Sequence, residues 1–431
     1  MDFNYNDQDQ NQVINVEQLK QAEKENNSRL TRRFISGILI GVLVSSLVIS
    51  GVALFLVYSG RKDSPALTAG SSDLITDELM LKIQSLESVI DNYYYKTEVD
   101  KQAEADGIYK GLMDSLGDPY TVYYTESELE EMMNDTKGIY FGIGAYVSYD
   151  STLKMARISG VMPGSPAEQA KLCIDDIIYE VDNESTQGLS LDEVVSRIKG
   201  EAGTKVHLTL VRTGEADNIE VDVIRAQIEV PTVSTEVYDD NIGYIKISEF
   251  DDVTYNQFVE GMTELRSKDI KGLIIDLRSN PGGNLSTVCD IARELLPEGL
   301  IVYTEDRDGK RENYTCDGTK QIDIPVVVLV NQYSASASEI LSGAIKDYKL
   351  GKLVGKTTYG KGIVQRIFDL RDGTAVKITV SSYFTPNGIN IHGVGIEPDV
   401  EVDFDSEAYA EDKTDTQLDK GIEVMKDLLD K

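Results

Sequence analysis

Three short segments of this chain contain residue types that could carry out catalysis. Residues 277–284 (LRSNPGGN) follow an apolar run, and their two adjacent glycines allow the backbone to approach a ligand and direct N–H groups at it. Residues 331–340 (NQYSASASEI) place three serines in a turn of small residues before a helical pattern, as an accessible nucleophile requires. Residues 355–362 (GKTTYGKG) hold Lys361 between two glycines, where a buried neutral amine could accept a proton from a hydroxyl.

Each segment also has a purely structural interpretation, and the residues alone leave both open. The glycines could form only a tight turn, a serine of 331–340 could cap the following helix, and Lys361 could be an ordinary exposed lysine. Residues 355–362 also match the first seven positions of a Walker phosphate loop. However, Gly362 replaces the Ser or Thr that would hold magnesium, and a strand-like alternation follows where a helix should begin. We therefore exclude a nucleotide-binding loop.

Composition excludes several other classes of protein. The formal net charge is −32, which repels nucleic acid and anionic lipid headgroups, so neither is expected as a main partner. His207 and His392 are the only histidines; His392 could act as a base, but a histidine beside a glycine turn is more often structural. No two of the histidines and cysteines are close enough in sequence for a local metal motif, so a zinc site is not expected. The cysteines are Cys173, Cys289 and Cys316.

Residues 34–58 form an uncharged run of 25 residues, and about 20 apolar residues suffice to cross a membrane. A cleavable signal peptide is the alternative, but its apolar region would span roughly 7–15 residues near the start of the chain. Residues 14–33 carry five Lys or Arg and residues 59–78 carry two, which predicts a cytoplasmic N-terminus. We expect a cytoplasmic tail (1–33), an uncleaved single-pass anchor and a flexible linker (59–72), with the remaining chain outside the cytoplasm.

The regions that follow the linker must position the three segments that could carry out catalysis. Residues 73–138 form an N-terminal helical segment whose apolar side chains recur every three or four residues on one face, predicted to be buried. Residues 139–227 change to short β-like runs with two short helices. From 228 to 405, apolar strand-like runs alternate with helical ones, which predicts an α/β core with buried parallel strands. Residues 406–431 are an acidic tail that ends in a helical pattern.

Considered together, the segments resemble the carboxyl-terminal processing proteases, the S41 family of serine peptidases, which contain an inserted PDZ domain. The resemblance extends from about residue 72 to about residue 403. Several such motifs in the same order are far more specific than any one of them. They are 115–120 (SLGDPY), 277–283 (LRSNPGG), 334–340 (SASASEI), 359–365 (YGKGIVQ) and 393–399 (GVGIEPD).

The resemblance implies a role for individual residues. Ser336 corresponds to the nucleophile, Lys361 to the general base, and Gln365 to a glutamine that orients the lysine. The backbone N–H groups of Gly282 and Ala337 correspond to the oxyanion donors. A Ser–Lys pair needs no histidine, and no cofactor or metal is implied. If a strand runs through this segment, Lys361 and Gln365 would face the same side and could touch.

The resemblance to a PDZ domain covers 139–227, and a strand is expected over 143–147. Its carboxylate-binding loop would hold the C-terminal carboxylate of a substrate while the tail adds as a strand to the sheet edge. The residues implied for this loop are Gly142, Ile143 and Gly144. Lys171 and Asp175 stand where the family usually has glycine, which puts the geometry of two turns in question. Lys199 stands where the family has an arginine that links the PDZ domain to the catalytic site.

The expected fold class is therefore α/β and multidomain: an N-terminal transmembrane helix, a helical segment, a PDZ domain (139–227) and a protease core (228–405). The resemblance implies a membrane-anchored serine endopeptidase that binds free C-termini of protein or peptide substrates and cleaves them with Ser336 and Lys361. A homodimer is also implied, since family members are often dimers. The alternative is a catalytically inactive membrane-bound PDZ scaffold. The joint presence of Ser336, Lys361 and Gln365 favours the enzyme.

Overall fold

The computed structural model describes residues 74–96 and 98–430 of the 431-residue chain. The predicted cytoplasmic tail, membrane helix and linker, residues 1–33, 34–58 and 59–72, lie outside the described residues. Within the described part of the chain, no helix combines the length and the hydropathy needed to cross a bilayer.

Three helices and a short strand form the first described region. They are α1 (Asp77–Tyr93), α2 (Lys101–Asp114), β1 (Val122–Tyr124) and α3 (Glu126–Lys137). Thr76, Asp100 and Thr125 cap the helix N-termini by accepting hydrogen bonds from backbone N–H groups. The predicted helices are confirmed, but the prediction that the apolar face of α1 is buried is wrong. No residue of α1 is buried, because no other described part of the chain covers that face.

The next region has the elements expected of a PDZ domain. They are β2 (Ile139–Gly142), β3 (Ala145–Asp150), β4 (Met155–Val161), α4 (Pro166–Gln169), β5 (Ile177–Val181), β6 (Glu184–Ser185), α5 (Leu191–Ile198), β7 (Lys205–Val211), β8 (Ile219–Ile224) and β9 (Ala226–Glu229). Strands β3, β4, β5, β7 and β8 form one antiparallel sheet in that order, β6 pairs with β5, and β2 pairs with β9. The strand predicted over 143–147 is interrupted, because Gly144 has a φ of 78° and separates β2 from β3.

Two turns of this region keep a glycine-like backbone without glycine. Lys171 has a φ of 58° and Asp175 a φ of 74°, both in the left-handed region. The Lys171 N–H donates to the Glu168 carbonyl oxygen over 2.9 Å, and the Asp175 N–H donates to the Ile158 carbonyl oxygen over 2.8 Å. The departures from the family sequence therefore leave the two turns intact. A left-handed conformation costs a residue with a side chain roughly 1–2 kcal/mol.

The core is built on a mostly parallel sheet. Its elements begin with β10 (Val233–Tyr238), β11 (Ile242–Ile247), α6 (Thr254–Ser267), β12 (Gly272–Asp276), α7 (Leu285–Arg293), β13 (Gly299–Asp306), β14 (Arg311–Cys316) and β15 (Val326–Val330). They continue with α8 (Ala337–Asp347), β16 (Gly351–Gly355), β17 (Ile363–Asp369), β18 (Ala375–Phe384), β19 (Val400–Glu401), α9 (Ser406–Asp412) and α10 (Thr416–Leu429). The sheet order is β10-β11-β12-β15-β16-β19, and every pair except β10–β11 is parallel. The predicted α/β core with buried parallel strands is confirmed.

This topology brings two of the three candidate segments together. Every residue of β12 and β15 is buried, and the two strands are parallel neighbours. Residues 277–284 follow β12, and residues 331–340 follow β15. Because the carboxyl ends of parallel strands meet at one edge of a sheet, the glycine segment and the serine segment lie side by side.

A second sheet supports the third candidate segment. Its central strand, β18, pairs with β1, β13 and β17, and β13 continues into a hairpin with β14 that the sequence did not predict. The segment 355–362 connects β16 of the parallel sheet with β17 of this one. It therefore crosses from one sheet to the other directly beside the start of α8.

Candidate active site

The carboxylate of Glu339 joins the serine segment to the lysine segment. Its Oε2 atom accepts hydrogen bonds from the backbone N–H of Ser336 over 2.9 Å and from that of Lys361 over 2.8 Å. Its Oε1 atom accepts from the N–H of Gly360 over 2.7 Å and from the hydroxyl of Thr358 over 2.6 Å. Glu339 is fully buried. One side chain therefore fixes the backbones of Ser336 and Lys361 next to each other.

Ser336 lies on a sharp turn between β15 and α8. Its φ of 53° and ψ of −112° are unusual for a residue other than glycine, and such strain is common where a side chain must be presented to a ligand. The buried Tyr383 hydroxyl donates to the Ser336 carbonyl oxygen over 3.0 Å and holds the turn. Of the three serines in the segment, Ser334 and Ser338 are fully buried and donate to backbone carbonyls. Ser336 is the one that remains partly accessible.

Gly282 lies against this turn, and no larger residue would fit there. A Cβ atom at Gly282 would lie 2.7 Å from the Cβ of Ser336 and 3.0 Å from the backbone nitrogen of Ala337, and its φ is 110°. The structure thus brings Gly282 and Ala337 together beside Ser336. The Gly282 N–H, however, donates to the Oδ1 atom of Asn280 over 2.8 Å. In this structure the amide is therefore engaged within its own loop rather than directed at the cleft.

Lys361 is almost completely removed from solvent. The residue is 2% exposed, and its Nζ atom lies 4.3 Å from the centroid of the Tyr120 ring. The pKa of Lys361 is lowered from 10.5 to about 7, mainly by burial and also by the nearby charge of Lys377, while Asp118 and Glu339 oppose the change. The amine is thus substantially neutral near neutral pH.

A second buried lysine lies in the same region. Lys377 of β18 is 1% exposed, and burial lowers its pKa to about 8. Its Nζ atom lies 5.3 Å from the centroid of the Tyr124 ring, and Asp118 raises its pKa in opposition to burial. Asp118, Tyr120 and Tyr124 all come from the N-terminal helical segment. This segment therefore covers the lysines and contributes to the electrostatics of the site.

Gln365 is buried close to the lysine segment but not as the sequence predicted. The strand β17 begins at Ile363, so Lys361 precedes it, and the register with β18 shifts between Val364 and Gln365. The argument that Lys361 and Gln365 share one face of a regular strand is therefore wrong. The Gln365 side chain is 3% exposed, and its Nε2 atom donates to the hydroxyl of Thr379 over 3.1 Å.

The loop between β2 and β3 borders a cavity of about 410 Å³. The carbonyl oxygen of Ile143 accepts from the N–H of Ala167 over 2.8 Å, and that of Gly144 accepts from the N–H of Met162 over 3.0 Å. Both carbonyl groups are thus satisfied inside the domain. The apolar part of the lining comes from the loop itself, β3, α5 and the residue after β4, and it includes Ile143, Val147, Met162, Val195 and Ile198.

The same cavity has an acidic side formed outside the PDZ domain. Asp135 of α3 and the residues Glu249 and Asp251 line it together with Lys199. Burial raises the pKa of Asp251 to about 8, and the neighbouring charge of Glu249 contributes. Between these carboxyl groups, Phe250 donates its N–H to the Gly282 carbonyl oxygen over 2.9 Å. The segment that borders the PDZ cavity is therefore bonded directly to the glycine loop of the candidate active site.

Several residues of this site were not found from the sequence. The sequence pattern does not reveal the contacts made by Glu339, Asn280, Tyr383 and Lys377. A lysine within an apolar strand pattern at 375–380 was the one available signal, because a buried lysine is rarely tolerated without a function. The other three depend on contacts between distant segments that periodicity does not reveal.

Comparison with known proteins gives two family matches and several close relatives. Residues 241–402 match peptidase family S41, and residues 157–212 match a PDZ domain. The chain is similar to a carboxyl-terminal-processing protease of Synechocystis, with 36% identity over 74% of this chain and 75% of that protein. It is also similar to the carboxy-terminal processing protease CtpA of Bacillus subtilis, with 35% identity over 84% of this chain and 76% of that protein. A solved photosystem II D1 C-terminal processing protease aligns with 29% identity, a TM-score of 0.46 and coverage of 81% and 98%.

Replacing Glu339 by Gln should disturb the site while keeping the side chain's size. In glutamine an NH2 group replaces one of the two carboxylate oxygens, and this group cannot accept a hydrogen bond. The two donors that bind that oxygen in the wild type therefore lose their acceptor. We expect the free energy of unfolding to fall by about 1–3 kcal/mol. Denaturant unfolding measures the change, with Glu397→Gln at an exposed position as the matched control. Equal stability of the two variants would contradict the structural importance of Glu339.

Proposed function

The chain belongs to peptidase family S41, the carboxyl-terminal processing proteases, and on that premise we propose that Ser336 and Lys361 are its catalytic pair. It is a serine-type peptidase with a PDZ domain. The observation that supports the pair most strongly is the shared Glu339 oxygen, which fixes both backbones side by side. The low pKa of the buried Lys361 amine supports its role as the base.

In the proposed mechanism, neutral Lys361 accepts the proton of the Ser336 hydroxyl as the serine oxygen attacks the peptide carbonyl carbon. The protonated lysine then gives its proton to the departing amine. A water molecule attacks the acyl-enzyme in the second step, again with Lys361 as the base, and releases the new C-terminus and Ser336. Gln365, bonded to Thr379, would orient the lysine.

The oxyanion would be held by the backbone N–H groups of Ala337 and Gly282. Removing one such donor typically costs roughly 2.7–4 kcal/mol of transition-state stabilisation. Gly282 must exchange the Asn280 oxygen for the oxyanion when the substrate binds. The N–H of Phe250 donates to the carbonyl oxygen of Gly282 itself. The acidic segment 249–252 is therefore well placed to influence this exchange.

We propose that the PDZ cavity binds the free C-terminus of a protein or peptide substrate. The loop Gly142–Gly144 would supply N–H groups for the terminal carboxylate, and the edge of β3 would pair with the tail. The apolar lining between β3 and α5 suits a hydrophobic terminal side chain. The alternative, an inactive PDZ scaffold, would require the same cavity but no reactivity at Ser336.

We also propose that residues 34–58 anchor the protein in the cell membrane, with the N-terminus in the cytoplasm and the catalytic region outside. The proposal is supported by the uncharged run and by the excess of Lys and Arg before it. Protease added to intact cells should degrade the chain beyond residue 72 and leave an N-terminal epitope intact. Loss of the epitope with survival of the catalytic region would contradict this orientation.

A homodimer is part of the proposal, and α1 is the surface that supports it. Leu86 is 53% exposed, Val89 is 55% exposed and Tyr93 is 83% exposed, and their spacing of three and four residues places them on one face of the helix. A second copy of the chain would cover them. Sedimentation of the fragment that begins at residue 74 should give the dimer mass, and Leu86→Glu with Val89→Glu should return the monomer.

The proposed function is tested by hydrolysis of a peptide with a free C-terminus by the fragment that begins at residue 74. We expect turnover by the wild type and none by Ser336→Ala, because only the hydroxyl can form the acyl-enzyme. Amidation of the peptide C-terminus should reduce cleavage if the loop Gly142–Gly144 binds the carboxylate. Equal turnover by wild type and Ser336→Ala would overturn the assignment of the nucleophile.

The assignment of the base predicts a pH dependence. Since the pKa of Lys361 is lowered to about 7, the neutral form dominates above that pH and is lost below it. The rate of Ser336 labelling by an organophosphonate should therefore fall about tenfold per pH unit below about pH 7. Lys361→Arg should be unreactive throughout, because its guanidinium stays protonated. A labelling rate independent of pH, or a reactive Arg variant, would contradict this role.

A further inference from the structure

Arg278 connects the glycine loop of the active site to the C-terminal segment of the chain. It is the second residue after β12, and its side chain is 12% exposed. The guanidinium donates to Asp276 through Nε and Nη2, with the shortest contact at 2.7 Å. It also donates in a bidentate manner to Asp415, from Nη1 to Oδ1 over 2.7 Å and from Nη2 to Oδ2 over 2.8 Å. Asp276 from the end of β12 and Asp415 from the C-terminal segment thus clamp one largely buried cation.

Asp415 is held at this position by the fold of the C-terminal segment. It is the N-cap residue of α10, and its Oδ1 atom accepts from the N–H of Leu418 over 3.0 Å. The next residue, Thr416, donates its hydroxyl to the carbonyl oxygen of Asp403 over 2.9 Å. Farther along α10, Met425 is fully buried against the parallel sheet. The helix is therefore docked on the core, and the carboxylate of Asp415 projects from its start toward Arg278.

The chain from Arg278 to Gly282 is short and strained. Ser279 has a φ of 60°, in the left-handed region. Its N–H donates to Oδ1 of Asn331 over 2.9 Å, and Nδ2 of Asn331 donates to the Ser279 hydroxyl over 3.1 Å. Asn280 follows and bonds the Gly282 amide. Arg278 on one side and Asn331 on the other therefore fix the entry to the oxyanion loop. A bidentate guanidinium–carboxylate pair fixes direction as well as distance.

Removal of one carboxylate would leave the buried guanidinium with part of its charge uncompensated. Its side chain would then rotate toward solvent or toward Asp276 alone. Arg278 lies only four residues before Gly282. A rotation of its side chain would therefore change the conformation of the residues that lead into the oxyanion loop. Displacements of about 1 Å at a reacting centre can reduce rates by roughly a hundredfold.

We propose that Asp415 is a positioning residue for the oxyanion loop, acting through Arg278. The C-terminal segment from 403 to 430 is then a working part of the catalytic unit and not only an acidic tail. This inference rests on the proposed function, because it assigns Gly282 to the oxyanion. It concerns residues beyond the part of the chain, 241–402, that matches the peptidase family.

Two substitutions of Asp415 separate its charge from its capping role. Asp415→Asn keeps a good N-cap for α10 but loses the charge that clamps Arg278. Asp415→Glu keeps the charge but replaces the capping side chain with one that is not favoured at that position. If Asp415 acts through Arg278, the Asn variant should lose at least about tenfold in kcat and in the organophosphonate labelling rate, with KM unchanged. The Glu variant should retain most of both rates.

Asp405→Asn is the matched control. Asp405 caps α9 by accepting from the N–H groups of Glu407 and Ala408, as Asp415 caps α10, but it makes no contact with Arg278. Its substitution should leave kcat within about twofold of wild type. All variants are compared with wild type and Ser336→Ala in the same assay, and thermal unfolding is recorded for each.

The outcomes separate the inference from the proposed function. A slow Asn variant that is fully folded at the assay temperature, together with an active Glu variant, would support the positioning role. An Asn variant as active as wild type, or a Glu variant slower than the Asn variant, would overturn it, because capping would then be what matters. A wild type with no Ser336-dependent turnover would overturn the proposed function, and this inference with it.

Discussion

A single buried carboxylate holds together the two segments on which the proposed chemistry depends. Glu339 lies in the first turn of α8, and four donors from two separate segments converge on its two oxygens. Burial alone would favour the protonated carboxyl and raises its pKa, while the four hydrogen bonds oppose that effect. The result is a polar junction inside an apolar core, where each donor would be costly to leave unpaired. The serine turn and the lysine loop thus depend on the same side chain for their mutual position.

The N-terminal helical segment is as much a part of this environment as the core. Tyr120 covers the Lys361 amine, Tyr124 lies near Lys377, and Asp118 supplies the one carboxylate that favours the charged form of both lysines. β1 joins the sheet of the core by pairing with β18, which carries Lys377. The lowered pKa of Lys361 therefore depends on residues of both the N-terminal helical segment and the core. No single segment creates it.

The sequence predicts the features of this protein that depend on local pattern. The buried strands β12 and β15, the start of α8 and the two helices of the PDZ domain follow from apolar runs, caps and small-residue turns. Features that depend on distant contacts could not be found in this way. The register shift in β17 removes the simple alternation that linked Lys361 to Gln365, and no part of the chain that the structure describes covers the apolar face of α1. Lys171 and Asp175 are different again, since contacts around the turn impose a backbone that neither residue prefers.

The bond from the Gly282 amide to Asn280 has a consequence for selectivity. In the proposed mechanism Asn280 is an internal competitor, because the Gly282 amide must leave its side-chain oxygen before it can stabilise the oxyanion of a substrate. A free peptide that visits the cleft briefly seldom achieves this. A tail held in the PDZ cavity, as proposed above, would stay at a high effective concentration and could make repeated attempts. The protease would then distinguish its substrates from other proteins by how long their tails stay bound. It would need to recognise little of the peptide bond that it cuts.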